Sequence, residues 1–242
     1  MYNEAWRLQK EHFWTPDMSG INWDLVYHRY LPLLESVATR SEFSDLIWEM
    51  QGELGTSHAY EWGGDYKPSP NYRLGSLGAD YLFDEKEKAY RITHIINGDS
   101  WKNNSPLRNL GVEINEGDFI IAINGEELNS KITPNALLVN RAKSYVNVTI
   151  KSATTGKTKI FNIKTNATDF DARYREWVEN KRKYVHEKSN GKLGYVHIPD
   201  MGPDGFSEFH RYYRDESSRD GLVVDIRDNG GGHVSQLILE LF

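Results

Sequence analysis

The sequence lacks several features, and their absence excludes common classes of protein. It contains no cysteine, which excludes disulfide bonds, thiolate metal sites and a cysteine nucleophile and fits a reducing compartment. No apolar run approaches the roughly 20 residues of a membrane-spanning helix. The N-terminus, MYNEAWRLQKEH, has neither the charged start nor the apolar stretch of a signal peptide. We therefore expect a cytoplasmic protein without a membrane partner, although an export signal upstream of this chain stays open.

Positive charge is also scarce. The chain carries 29 Lys and Arg against 35 Asp and Glu, a net charge of −6. Phosphate contacts need an excess of basic side chains, so a nucleic-acid partner is not expected. What the sequence does contain is 242 residues with 7 Trp, 14 Tyr and 9 Phe, enough for several compact cores. The hydrophobic period changes twice along the chain, which predicts three domains, residues 1–72, 73–165 and 166–242.

The first predicted domain is helical. Apolar side chains recur at helical spacing in three stretches of residues 1–55. Pro32 is expected to kink the second helix. Thr39 and Glu42 have the spacing of a capping box at the start of the third helix, and Gly52 and Gly55 are expected to end that helix.

The second predicted domain has the alternating pattern of strands. The stretch GDFIIAINGEEL, residues 117–128, indicates two strands around Asn124-Gly125, the pair typical of a type I′ hairpin turn. Thr133 and Pro134 are expected to open a short helix that runs to residue 141. The stretches YVNVTIKS and TKIFNIKT then alternate as a closing strand pair.

The third predicted domain has an α/β pattern. A polar helix is followed by the strand KLGYVHI, the helix DGFSEFHRYYRDE with Asp204 as N-cap, and the strand GLVVDI. This order predicts parallel strands joined by a right-handed crossover. Two strands do not make an independent α/β domain, so we expect residues 166–242 to be the first part of one in a truncated chain.

The loop DNGGGH, residues 228–233, follows the last strand and precedes a helix. It has neither the G-x-G-x-x-G spacing nor the Gly-Lys-Ser/Thr of phosphate-binding loops. Asp225 and Asp228 have no second acidic cluster near them, so we expect no metal and no cofactor. Successive glycines before a helix N-terminus suit an anion, including the oxyanion of acyl transfer. A tight turn without a ligand is the alternative.

Histidines are the remaining candidates for chemistry. His58 adjoins Ser57 just past the third helix, but neighbours in an extended chain point to opposite sides. A structural or solvated role for His58 is the alternative to catalysis. His233 adjoins the glycine loop and is a candidate to line a site. His94, His197 and His210 are interpreted as packing or surface residues, and His186 as part of a solvated helix face.

Two stretches carry a resemblance to known folds. In its setting, GDFIIAINGEEL resembles the core signature of PDZ domains. The stretch GSLGA, residues 75–79, is similar to the loop whose backbone amides hold a peptide carboxylate, which makes Leu77 and Gly78 substrate-binding candidates.

The order of motifs resembles the C-terminal half of the tricorn protease family. The resemblance rests on four successive stretches, which are EMQGELGTSHAYE, the PDZ-like region, WVENKRKYVHEKSNGKLGYVHIPDMG and GLVVDIRDNGGGHVSQLI. The resemblance implies a multidomain α+β fold. Its parts would be a small helical subdomain, a PDZ-like β-barrel or sandwich, and a truncated α/β catalytic domain of the ClpP/crotonase-like type.

The resemblance also implies roles. His58 falls on the catalytic base, Ser57 on the serine that orients the imidazole, and Gly232 on an oxyanion-hole glycine, with Gly231 and His233 beside the substrate. The nucleophilic serine would lie beyond Phe242, so the chain alone should be inactive. The implied parent is a homo-oligomeric serine peptidase that degrades short peptides such as proteasome products. A relative of C-terminal processing peptidases and a non-catalytic PDZ scaffold stay as alternatives.

Overall fold

The computed structural model describes residues 1–65, 69–98 and 105–242, and its contacts separate Met1–Asn71 from Tyr72–Phe242. The first unit is helical, as predicted. Its α-helices are α1 (Tyr2–His12), α2 (Trp23–Tyr30) and α3 (Arg40–Gly52). None of the helices in the described residues is long and apolar enough to cross a membrane.

Local signals in the first unit act as the sequence predicts. The α-helical pattern stops at Tyr30, and Leu31–Ser36 continues as a 3-10 helix. Pro32 supplies no N–H for the α-helical pattern, which explains this change. The capping box is present, since the Thr39 side chain accepts from the Glu42 amide and the Glu42 carboxylate accepts from the Thr39 amide.

The core of the first unit is built around two tryptophans. The Trp6 indole N–H donates to the Trp23 carbonyl at 2.8 Å, and the Trp23 indole donates to the Trp6 carbonyl at 2.9 Å. This exchange gives each indole N–H an acceptor while the rings pack in the core. Leu54, just past α3, is buried against the same core, and Ala59 packs beside it. The segment that carries the sequence-predicted base is therefore attached to the helical core.

The second unit begins with an antiparallel sheet. Its strands are β1 (Ala79–Asp84), β2 (Ala89–Ile95), β3 (Phe119–Ile123), β4 (Glu126–Glu127), β5 (Tyr145–Lys151) and β6 (Thr158–Lys164). The strand order is β1-β2-β3-β5-β6, with β4 paired to β3. Strands β1 and β6 are the two ends of this order, so the described strands form an open sheet that is not closed into a barrel. Only an isolated bridge, Ser76 to Asn166, joins the segments beside them among the described residues.

The turn and helix of this sheet domain follow their local chemistry. Asn124 and Gly125 both have positive φ, 52° and 82°, as a type I′ turn requires. The Thr133 hydroxyl accepts from the Ala136 amide and caps α4 (Pro134–Leu137). This helix is shorter than predicted. Asn140 lies in the left-handed region at φ 58°, so the chain has already left the helix before residue 141.

The rest of the second unit has the predicted α/β order. Its elements are α5 (Phe170–Lys188), β7 (Leu193–His197), α6 (Pro203–Glu216), β8 (Gly221–Asp225) and α7 (Ser235–Leu239). Strands β7 and β8 are parallel. Strand β7 is largely buried, whereas Val224 of β8 is exposed, so only β7 is covered on both faces within this chain.

The start of α6 differs from the prediction that Asp204 is its N-cap. The helix begins at Pro203, and the carboxylate of Asp200 accepts from the amides of Gly202 (2.6 Å) and Gly205 (3.0 Å). Proline is favoured at the first helical position, which moves the start two residues earlier than predicted. The Asp200 side chain, in the segment after β7, thus accepts from two amides at the start of α6.

Candidate active site

Residues 57–62 form an irregular segment whose side chains alternate between the core and solvent. Glu61 faces inward, where its carboxylate accepts from Arg40 at 2.8 Å and from the Ser44 hydroxyl at 2.9 Å. His58 and Tyr60 are exposed. The inward contact anchors the segment and leaves the His58 ring accessible to a substrate.

His58 itself has an unusual backbone. Its φ is 65°, a left-handed conformation that is uncommon outside glycine. Its Nδ1 lies 3.5 Å from the Tyr60 hydroxyl, and the two rings meet edge to face at 5.9 Å. Within the described part of the chain, no hydrogen bond joins Ser57 to His58. The orienting role of Ser57 therefore stays a prediction, and Tyr60 is the ring partner that the sequence did not point to.

The glycine loop is attached along one side to the segment that follows β7. The Gly230 amide donates to the Pro199 carbonyl at 2.9 Å, and the Met201 amide donates to the Gly231 carbonyl at 2.7 Å. The amides of His233 and Val234 both donate to the Met201 carbonyl, at 2.6 and 2.8 Å. These bonds hold the loop against β7 in one conformation.

Among residues 230–234 of this loop and its continuation, one amide stays free. The Gly231 amide donates to the Asn229 side chain at 2.8 Å, and the amides of residues 230, 233 and 234 are paired with carbonyls. Within residues 230–234, all of them described, only Gly232 has an N–H without an acceptor. Gly232 is exposed and has φ 141°. Residues 230–234 therefore leave one backbone donor, the Gly232 N–H, available to a ligand.

Glycine at position 232 is required by space as well as by conformation. A Cβ there would lie 2.1 Å from the Met201 carbonyl oxygen. The backbone runs that close to Met201 because of the hydrogen bonds on either side of it. The predicted site residues Gly231 and His233 flank Gly232, and the His233 side chain is exposed beside the free amide.

The predicted carboxylate-binding loop, residues 75–79, is largely closed on itself. The amides of Gly75 and Ser76 donate to the carbonyls of Leu138 and Asn166, both at 2.9 Å. The Gly78 amide donates to the Ser76 hydroxyl at 3.0 Å. The Leu77 side chain is fully buried in the sheet core. In this conformation the loop offers few amides to a carboxylate.

Several histidines have roles that the sequence did not indicate. The expectation that His186 is solvated is wrong, since its Nε2 lies 2.6 Å from the carboxylate of Glu216, which is 2% exposed. His94 lies between two glutamates rather than in an apolar contact. These partners come from distant elements, so no short motif would have revealed them. The described residues contain no group of acidic and histidine side chains suited to a metal.

Three protein-family profiles match successive parts of the chain. They describe the tricorn protease C1 domain over residues 1–52, the tricorn protease PDZ domain over residues 75–167 and peptidase family S41 over residues 192–241. The fold thus combines a helical C1-type unit, a PDZ domain and the opening of an S41-type peptidase domain.

Relatives and a solved structure match over nearly the full chain. A protein named as the C-terminal subunit of a tricorn-like protease from Sulfurisphaera tokodaii is 47% identical, over 99% of this chain and 28% of its own length. A tricorn protease homolog of Saccharolobus solfataricus is 45% identical, over 99% of this chain and 22% of its own length. The crystal structure of the tricorn protease superposes with a TM-score of 0.89 at 37% identity, covering 99% of this chain and 23% of that one.

The chain belongs to the tricorn protease family. It spans about a quarter of the length of the curated relatives that it matches.

Proposed function

We propose that this chain is part of a longer serine peptidase, in which His58 is the general base and the Gly232 amide stabilises the oxyanion. A hydroxyl nucleophile is then supplied by a part of the protein outside this chain. The substrates are short peptides, and the complete protein works as a homo-oligomer in the cytoplasm without a cofactor. The names of the relatives, which are proteases, support the reaction class.

The observation that carries the proposal is the free amide of Gly232. Acyl transfer places negative charge on the carbonyl oxygen, and a preorganised N–H donor stabilises that charge without reorganisation. The amides of residues 230, 231, 233 and 234 already have acceptors in the chain, so within this stretch the Gly232 N–H is the donor that remains for a ligand.

The state of His58 supports its role as base. A general base must reach the proton that it removes and must accept it at one ring nitrogen. The ring of His58 is exposed, so it is open to a hydroxyl group from outside this chain. The Tyr60 contact at Nδ1 leaves Nε2 without a protein partner among the described residues. Nε2 is therefore the nitrogen that we assign to proton transfer.

His58→Ala tests the proposal in the complete protein. Removing a general base costs about 10²–10⁴-fold in turnover. The measurement is the hydrolysis of a fluorogenic peptide with a basic residue before the scissile bond, together with the far-UV spectrum to verify folding. Ser57→Ala should cost less, since Ser57 transfers no proton, and the 242-residue chain by itself serves as the inactive control.

Two outcomes would contradict the proposal. Retention of more than about a tenth of wild-type turnover by folded His58→Ala would remove this residue from the mechanism, because a base contributes more than that. Turnover by the 242-residue chain that is lost in Ser57→Ala would place the nucleophile inside the chain.

A further inference from the structure

His197 occupies a buried position at the end of β7 that the proposed chemistry does not use. It is 4% exposed, and its ring lies edge to face against Trp177 with centroids 4.8 Å apart. Both ring nitrogens have partners. Nδ1 lies 2.9 Å from the Tyr174 hydroxyl, and Nε2 lies 2.9 Å from the Arg227 carbonyl oxygen. The ring thus connects α5, β7 and the chain just after β8.

The Arg227 carbonyl determines which nitrogen of the His197 ring carries the proton. A carbonyl oxygen only accepts, so Nε2 of His197 carries the hydrogen and donates it to Arg227. In the neutral ring Nδ1 is then an acceptor, and the Tyr174 hydroxyl donates to it. Burial raises the pKa of the Tyr174 hydroxyl well above its usual range, which keeps this donor protonated. One tautomer of His197 satisfies every group in the chain of bonds.

The bond to Arg227 is the first of a series that holds the glycine loop. Next along the chain, the Asn229 side-chain amide donates to the Ile198 carbonyl at 2.9 Å. The Gly230 amide donates to Pro199, and the Met201 amide to Gly231, at 2.9 and 2.7 Å. The segment after β7 and the loop after β8 are therefore joined from His197 onwards. The free amide lies at the far end of this series.

We infer that His197, whose Nε2 proton is fixed by the Arg227 carbonyl and whose ring is held at Nδ1 by the Tyr174 hydroxyl, is a positioning residue for the Gly232 amide and acts through the Arg227 carbonyl. The inference rests on the proposed function for its meaning in catalysis. A donor that is displaced from the developing oxyanion loses stabilisation in the transition state more than in the ground state. Loss of the His197 bond should therefore lower kcat and leave KM almost unchanged.

The variants are chosen to separate the hydrogen bond from the space that the ring fills. His197→Phe keeps a ring without nitrogens. His197→Gln keeps an N–H donor near the position of Nε2. Tyr174→Phe is the milder second variant, since it removes only the hydroxyl that bonds Nδ1 of His197. Tyr213→Phe, at a hydroxyl that instead bonds the Leu241 carbonyl, is the matched control.

The first measurement needs no enzymatic activity and uses the 242-residue chain. Amide hydrogen exchange should quicken about tenfold or more at Gly230 and His233 in His197→Phe, because the loop opens locally without global unfolding. The amides of β3 and β5 should keep their wild-type rates. The imidazole ¹⁵N shifts of His197 should show a proton on Nε2 in the wild type and in Tyr174→Phe, while the Nδ1 resonance should shift in Tyr174→Phe because that nitrogen has lost its hydrogen-bond donor. Unchanged loop exchange in His197→Phe would overturn the inference.

The second measurement is peptide hydrolysis by the complete protein. His197→Phe should lower kcat by about 10–10²-fold, less than the roughly 10²–10³-fold cost of deleting an oxyanion donor, with KM within about twofold of the wild type. His197→Gln should recover most of the loss. Quickened exchange with an unchanged kcat would overturn the positioning role and leave the proposed function intact. A wild-type protein with no turnover would instead remove the proposed function, while the exchange data still report on the loop.

Discussion

At the scale of single residues, the site depends on backbone groups as much as on side chains. In the proposed site Gly232 supplies its N–H rather than a side chain. This N–H remains available because the amides on either side of it already have acceptors in the chain. His58 shows the same dependence, since Glu61 anchors its segment by accepting from Arg40 and Ser44. Substitutions that change the backbone of these segments should therefore affect the site as strongly as substitutions of the reactive groups.

Gly232→Ala tests this at one position. A Cβ at residue 232 would lie 2.1 Å from the Met201 carbonyl oxygen. The backbone φ of 141° is also one that residues with a side chain rarely adopt, so the loop has to move. We expect the complete protein to lose peptide hydrolysis by about 10²-fold or more, the cost of one oxyanion donor. The measurement is kcat/KM on the fluorogenic peptide.

Gly230→Ala is the matched control for that substitution. The nearest atoms to a Cβ at residue 230 are 3.9 Å away, which is ordinary contact. Both variants replace glycine by alanine in the same loop, so they differ mainly in the clash with Met201. Equal losses in the two variants would show that loop flexibility, and not the placement of the Gly232 amide, limits the reaction.

At the scale of elements, α5 connects the PDZ sheet to the α/β segment through charged side chains. Arg173 donates to Asp80 of β1 at 2.7 Å. His94 of β2 lies 2.9 Å from both carboxylate oxygens of Glu176 through Nε2, and 2.9 Å from Glu116 through Nδ1. Both ring nitrogens can donate only when the imidazole is protonated, so this contact favours the imidazolium.

The pKa of His94 should show this contact directly. The hydrogen bond to Glu176, followed by that to Glu116, raises the pKa of His94 above its ordinary value. The contact therefore contributes its full stability below about pH 6.5, the unfolded value, and loses it as the pH rises through the folded pKa. The measurement is an NMR titration of the His94 ring protons in the 242-residue chain.

Two glutamate substitutions test whether the raised pKa of His94 depends on Glu176 itself or on nearby negative charge in general. Glu176→Gln should lower the titration midpoint of His94, because it removes the nearest negative charge. Glu113→Gln should leave that midpoint in place, since Glu113 is exposed and pairs with Lys159 instead. A wild-type midpoint at or below about 6.5 would contradict the prediction.

At the scale of the whole molecule, the described residues contain three separate buried cores. The sheet core is the largest and runs from Leu77 to Ile163, entirely within the predicted PDZ domain. The core of the α/β segment has four buried members, Val196, Ile198, Phe209 and Ile238. The unequal cores support the proposal of three domains, because the sheet core draws on no residue outside 73–165.

Residues 73–165 expressed alone should therefore fold, and residues 166–242 alone should not. A small segment buries too little surface to offset its conformational entropy, and β8 is only partly covered in this chain. The measurements are far-UV spectra and urea denaturation of the two pieces. A spectrum of 73–165 dominated by helix or by disordered chain, or a cooperative transition in 166–242, would contradict this prediction.

Much of the architecture was available from the sequence because local chemistry determines it. The capping box at Thr39, the left-handed turn at Asn124-Gly125 and the change of helix type before Pro32 each depend on a few adjacent residues. The glycine loop after β8 was also recognisable, since its spacing excludes phosphate-binding loops and suits an anion.

Only the tertiary structure decided which groups in these motifs stay free. The sequence cannot show that Met201 and Pro199 consume the amides around Gly232, because those partners lie about 30 residues away along the chain. The same reason explains His197, whose role depends on Tyr174 and Arg227, and His186, whose partner is the buried Glu216. Hydrogen-bond satisfaction is a property of the packed chain, and it is this property that separates a reactive donor from a structural one.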